Sequence, residues 1–327
     1  MNEKLQQIAE KLKNNWATLE NPGLWHGKMG IVIFFFHYAR YSGEKQYEDY
    51  AEEIIESLQV GLNWDSPVDY ENGLAGIGVG IEYLSQNGFI EIFTDEILED
   101  IDKYIQNFII EKKHENNSFG KGICGFGQYL LFRLNNSITE NNELRWLLNH
   151  ERMLQIVDIF ENEILLPNEI PETISLLCNV HKMNICNLKT KRCLYKMLET
   201  FSIDDIYDEF IPFLALALLR LKSTDYQITE HLNNILERAI KATETIFAST
   251  IKKLLWLLQC KRLISQNKLN ISFMNRINTC ANEILNQMNE MILSESNELS
   301  LNGYAGAGLA IMTLSEKCDG AWLDLLM

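Results

Sequence analysis

Four short stretches decide the architecture: Gly27-Lys28-Met29-Gly30, Gly73-Leu74-Ala75-Gly76, Gly122-Ile123-Cys124-Gly125 and Gly303-Tyr304-Ala305-Gly306. Each reads G-x-x-G, and three add a further glycine two residues on, at Gly78, Gly127 and Gly308. Each runs straight into an apolar segment: Ile31 to Phe36, Ile77 to Leu84, Phe126 to Leu134 and Leu309 to Leu314. The first three are spaced by 46 and 49 residues, and the last two by 181. The long gap is close to four periods of about 45, and periods of this size mark stacked or closed repeat architectures.

Between these openings lie segments with apolar residues at i, i+3, i+4: Tyr47–Leu62, Asp95–Lys112 and Leu144–Leu165. That spacing predicts amphipathic helices. Each period therefore holds one apolar, glycine-led helix and one amphipathic helix. Helices are also expected over Met1–Asn15, Ile206–Lys222, Ile228–Phe247, Ile251–Leu263 and Ile271–Leu293. Alternating strand patterns are almost absent. Counting periods predicts a single all-α domain, 1–327, of about seven hairpins. Their apolar helices start near Gly30, Gly76, Gly125, Ile174, Pro212, Ile251 and Gly306.

A glycine at a helix start costs about 1 kcal/mol relative to alanine, so repeated placement needs a reason. Close approach of neighbouring backbones, or positive φ in the preceding loop, would supply one. Ser42-Gly43 and Asn87-Gly88 read as C-terminal caps of the first two apolar helices.

The composition is that of an ordinary globular chain, 46% hydrophobic and 23% charged with only 5 Pro. This excludes disordered and low-complexity classes. The 45 acidic residues outnumber 29 basic ones, giving a net charge of −16. A phosphate backbone or an anionic lipid surface is then a poor partner, so no nucleic acid is expected. The longest apolar runs, Gly30 to Phe36 and Ile211 to Leu219, are far shorter than the roughly 20 residues that span a bilayer. No signal-like segment opens the chain, and its seven cysteines are not paired at short spacings. A cytoplasmic protein without a disulfide framework is expected.

With its Gly23-Leu24-Trp25-His26-Gly27, Glu71-Asn72-Gly73, Gly122-Ile123-Cys124-Gly125-Phe126-Gly127 and Leu301-Asn302-Gly303 openings, the chain resembles the lanthionine synthetase C-like (LanC-like) family. The match covers roughly residues 20–135 and 298–316, and the middle agrees in helical layout. The resemblance implies an α/α toroid, a double ring of helical hairpins. It also implies a protein that acts on a precursor peptide, adding Cys thiols to dehydrated Ser or Thr with a zinc ion. In the family that ion is held by a Cys in a W-C-x-G loop and by a Cys-His pair, in the two repeats before the last. Zinc holds thiols as thiolates and offers an open position for substrate.

Here the chain departs from the family. The fifth opening, Tyr207-Asp208-Glu209-Phe210-Ile211-Pro212, has no Trp-Cys-x-Gly, and the sixth, Glu244 to Ser249, has no Cys-His pair. No His follows His231. The expectation is therefore that no cofactor is bound, with zinc on Cys178, His181 and Cys186 as the alternative. On one straight helix Cys186 would lie about 12 Å from Cys178, so convergence demands a chain break near Asn184 or Asn187.

The remaining candidates sit at the mouths of the glycine-led helices: His26, Lys28, Glu71, Asn72, Lys121, Asn302 and Tyr304. Exposed helix N–H groups there could hold a carboxylate. His26 and Tyr304 would then be replaceable without loss of folding. Asp204, Asp205, Asp208 and Glu209, with Asp69 and Glu71, could supply a glycosidase's two carboxylates. A negative first helix turn explains the first four more simply. His37 and Phe34-Phe35-Phe36 are read as core. The function expected is a non-catalytic component that binds a peptide or a peptide-modifying enzyme. The alternatives are a thioether cyclase with an unorthodox zinc site and a carbohydrate-active toroid.

Overall fold

The computed structural model describes residues 2–61, 66–111, 116–139, 142–163, 165–200, 210–221, 229–246, 250–266, 271–292 and 298–326. Among them the regular elements are helices, with no strand. In chain order the α-helices are α1 (Asn2–Asn15), α2 (Lys28–Ser42), α3 (Gln46–Gly61), α4 (Leu74–Gln86), α5 (Thr94–Ile97), α6 (Glu99–Ile110), α7 (Ile123–Thr139) and α8 (Glu143–Asn162). They continue with α9 (Ile170–Lys182), α10 (Asn187–Thr200), α11 (Ile211–Leu221), α12 (Thr229–Ile246), α13 (Thr250–Gln266), α14 (Ile271–Ile292) and α15 (Tyr304–Leu314). Each expected apolar helix is present, as α2, α4, α7, α9, α11, α13 and α15.

Two details differ from the sequence reading. The segment from Asp95 is not one helix: it breaks at Leu98, whose ψ is 4° and whose side chain is fully buried. Helix α10 was not foreseen, because its basic Lys189, Lys191 and Arg192 hide a weak apolar face. Lys189 pairs with Asp158 and Glu161, and Arg192 with Glu161, so α8 neutralises that basic cluster.

The chain divides into two compact units. The first comprises Met1–Leu98, Ser249–Arg262 and Asn270–Met327, and so unites the two ends of the sequence. Helix α2 is its axis: Met29 to Phe36 are all buried, including the three phenylalanines. Helices α3, α4 and α15 pack against it, and amphipathic α1 lays Leu5, Ile8, Ala9 and Leu12 on α15, α14 and α2. Helices α2 and α4 end as their sequences indicate. Gly43 (φ 75°) and Gly88 (φ 62°) adopt the left-handed conformation, which costs glycine nothing.

The second unit comprises Glu99–Ala248 and Leu263–Leu269. Apolar α7, α9 and α11 pack in succession, with α8 on α7, α10 on α8 and α9, and α12 on α11. A buried ion cluster ties α6, α7 and α8 together. Asp102 is 1% exposed and accepts from Tyr129 Oη at 2.8 Å, from Arg133 Nη2 at 2.9 Å and from Arg145 Nη1 at 2.7 Å. Arg152 bonds Asn149 and Gln106 alongside.

Candidate functional site

The repeated glycines are explained by the loops that precede their helices. In each opening the loop folds under the helix and its carbonyls cap the first N–H groups. Lys28 N–H donates to Asn21 O at 2.9 Å, Leu74 N–H to Pro67 O at 2.8 Å, Ile123 N–H to Asn116 O at 3.2 Å and Tyr304 N–H to Glu298 O at 3.1 Å. The first glycine of each motif lies on that turn. A Cβ there would fall 2.6 Å from Asn21 O at Gly27, 2.1 Å from Pro67 O at Gly73, 2.3 Å from Asn116 O at Gly122 and 1.9 Å from Glu298 O at Gly303. The second glycine meets the next carbonyls in the same way, 2.0 Å from Tyr70 O at Gly76 and 1.8 Å from Leu301 O at Gly306.

Two expectations are corrected here. The capping glycines do not supply positive φ: Gly27, Gly73 and Gly303 have φ of −127°, −119° and −135°. Nor are these helix N–H groups exposed to hold an anion, because their own loops already satisfy them.

Three of the four openings meet in the first unit. Trp25 N–H donates to Glu71 O at 3.0 Å, and Asn302 N–H to Trp25 O at 3.2 Å, so the first opening is stitched to the second and to the last. Ser300 Oγ donates to Leu24 O and Gly27 O, and Trp25 Nε1 and Tyr70 Oη both donate to Leu325 O. On this frame stands a polar set. His26 Nδ1 lies 3.2 and 3.3 Å from the two oxygens of Glu298, and Asn302 Nδ2 lies 3.4 Å from His26 Nε2. The tautomer that suits both neighbours donates Nδ1–H to the carboxylate and receives from the amide. Beside it Asn21 Nδ2 donates to Asn72 Oδ1 at 2.6 Å, and Asn72 Nδ2 to Glu71 Oε1 at 2.9 Å. The side chains of His26 and Glu298 are 30% and 39% exposed, so an incoming group can reach them.

The other candidates part company with this set. Lys28 turns to α3, where Nζ reaches Ser57 Oγ at 3.4 Å, and lies over the Trp16 ring. Tyr304 is 2% exposed and receives a hydrogen bond from Lys11 Nζ of α1 at 2.6 Å. It is part of the core, which removes the expectation that it can be replaced without cost to folding. Lys121 is exposed and belongs to the second unit. Asp69 Oδ1 caps Asn72 N–H at 2.8 Å. Asp204, Asp205, Asp208 and Glu209 lie outside the described residues, as do Tyr207 and Phe247 to Ser249 of the fifth and sixth openings.

Sequence reasoning missed Asn21, Glu298 and Lys11. A signal for the first existed: Asn21 stands six residues before Gly27, as Asn116 does before Gly122. Also missed were two acids that cap the third opening from α9. Glu169 accepts from Asn117 N–H at 3.0 Å, and Glu172 from Phe119 N–H. Burial is the main force raising the Glu172 carboxyl to about 7, with Glu169 adding to it.

Cys178, His181 and Cys186, the alternative zinc set, lie on either side of the C-terminal end of α9. The chain does break where such a site would require, with Asn184 and Cys186 at φ of 58° and 45°. Yet no group of three His, Cys, Asp or Glu among the described residues is arranged to hold an ion. Cys178 is fully buried in α9, and burial pushes its thiol up to about 12, the reverse of what a zinc ligand needs.

The all-helical fold matches that of a solved α/α toroid. Residues 18–164 match the family model of lanthionine synthetase C-like proteins, the family whose openings those of this chain resemble. Among solved structures the chain is similar to nisin cyclase, with a TM-score of 0.66 at 15% identity, over 99% of this chain and 97% of that one. No curated protein matches the chain. No described helix is long and apolar enough to cross a membrane.

Proposed function

We propose that this chain is a non-catalytic, peptide- or partner-enzyme-binding component of a lanthipeptide-type modification pathway, acting as one domain over residues 1–327. One observation carries the reading. The openings that resemble the family's keep a half-exposed polar set on His26, Glu298, Asn302, Asn72 and Glu71, while the fifth and sixth openings lack its Cys and Cys-His ligands. A zinc-activated thiolate has no holder there, so no thioether-forming step is assigned to these residues. What remains is recognition. Glu298 and Glu71 attract an ammonium or guanidinium group, and the amides of Asn302 and Asn72 match a peptide's donors and acceptors.

The test is binding of a dehydrated precursor peptide, and of the pathway's modifying enzyme, to the full chain. His26→Ala and Asn302→Ala are expected to weaken one of these by at least about tenfold, with the melting temperature within about 2 °C. Unchanged binding in both variants, or thioether formation by the native protein, would overturn the reading.

A further inference from the structure

The second unit carries a groove that the openings do not use. Its volume is about 330 Å³, at the small end of the range for ligand sites, and it runs along one face of α8 against the last turn of α6. Gln155, Asp158, Ile159 and Asn162 of α8 stand at i, i+3, i+4 and i+7, and so share that face. Ile109 and Ile159 form its apolar floor, 3% and 8% exposed, and Ile110 a wall that is 56% exposed. All of these residues belong to the second unit.

We propose that this groove binds a linear aliphatic polyamine. Its polarity favours a cation. Both bordering helices end here: Ile109 and Ile110 are the last residues of α6, and Asn162 closes α8 with Glu163 as its cap. Two helix C-termini thus set their negative dipole ends beside the cavity. Glu163 lines the groove, and its carboxylate has no partner among the described residues. Lys189 of α10 already pairs with Asp158, so Glu163 is the carboxylate left for an incoming ammonium. Towards the other end, Gln155 Oε1 is buried without a hydrogen-bond partner. An unpaired buried acceptor costs about 1–3 kcal/mol, which an entering N–H donor recovers.

Shape narrows the ligand further. Gln155 and Glu163 are eight residues apart, about 12 Å along a helix, with Ile159 between them. A hard metal cation needs six or more clustered oxygens and gains nothing from an isoleucine floor. One ammonium on a short stem serves one end only. A linear polyamine has methylene segments to lie on Ile109, Ile110 and Ile159, and N–H groups at intervals to meet both acceptors. The long-range field draws such a ligand in, since the chain carries a net charge of −16. This site shares no residue with the openings and stands or falls independently of the peptide-binding reading.

The experiment titrates the full chain with spermidine, with N-acetyl-lysine amide and with methylammonium by calorimetry, at about 0.15 M salt to screen diffuse attraction. Spermidine should bind one site per chain, at least about tenfold more tightly than the lysine amide, and methylammonium should give no saturable heat. Glu163→Gln should weaken spermidine about tenfold and Gln155→Leu about three- to tenfold. Glu96→Gln, at an exposed acid of the first unit, should change nothing. Ile110→Lys, at an exposed position that tolerates the change, should abolish binding by tethering an ammonium in the groove. Absence of saturable spermidine binding, or native affinity in Glu163→Gln and Ile110→Lys, would overturn the site. Two further results overturn the assignment to a polyamine: equal losses in Glu163→Gln and Glu96→Gln, which mean diffuse attraction to an acidic surface, and equal affinity for spermidine and the lysine amide, which means a socket for one lysine side chain.

Discussion

A single atom governs the openings. The glycines at 73, 76, 303 and 306 are fixed by carbonyl oxygens that sit where their side chains would begin. Gly76→Ala must push its loop off Tyr70 O, and we expect a loss of roughly 2–4 kcal/mol in urea unfolding, of the order seen for overpacked or strained sites. Gly43→Ala is the control: nothing lies within 4 Å of its Cβ, and only the left-handed backbone opposes it, at about 1 kcal/mol. Glu172 gives a second residue-scale test. Its folded carboxyl titrates near 7 instead of 4.5, so the native state binds more protons than the unfolded chain between those values. Stability from this group is therefore greatest below about pH 4.5 and falls as pH rises to 7. Glu172→Gln should raise the melting temperature at pH 8, by up to about 3 kcal/mol of stability, and change it little at pH 4.5.

Among elements, the junction of α6, α7 and α8 depends on one carboxylate. Asp102 is 1% exposed and Arg133 is fully buried, so the ions are held by each other and not by water. Asp102→Ala would strand the Arg133 charge in the interior, and a loss of about 3–5 kcal/mol is expected by chemical denaturation. The sequence announced α6 by its apolar spacing, but not this cluster. Asp102 is one acid among many in an acidic helix, and its arginine partners lie 31 and 43 residues away. For the same reason α10 was missed: local charge masked a face that only α8 and α9 complete.

In the first unit as a whole, both ends of the chain support one frame. The Leu325 carbonyl receives Trp25 and Tyr70, and Lys11 of α1 reaches Tyr304 of α15. Deleting residues 321–327 removes that acceptor and the buried Trp322 and Leu323. The melting temperature should drop by several degrees, and binding at the openings should weaken with it, since Trp25 also joins the first opening to the second and the last. For the protein as isolated without added zinc, the metal content measured by plasma emission should be the same in Cys178→Ser and in the native chain. A stoichiometric ion lost on that substitution would restore a cyclase.

The sequence by itself determined the helical repeat, the starts of the seven apolar helices and the end caps at Gly43 and Gly88. These follow from local periodicity and from backbone geometry that few residues allow. It also marked His26, Asn302 and Asn72, because they sit in register at repeated openings. Only the tertiary structure decided what those openings are. Helix N–H groups that read as free for a ligand are closed by carbonyls six or seven residues earlier, and Tyr304, which read as a mouth residue, is buried under Lys11. Glu298, the partner of His26, is 272 residues away along the chain, and the His37 to Cys318 contact spans 281. Such pairings arise from packing between distant helices, which no local pattern encodes.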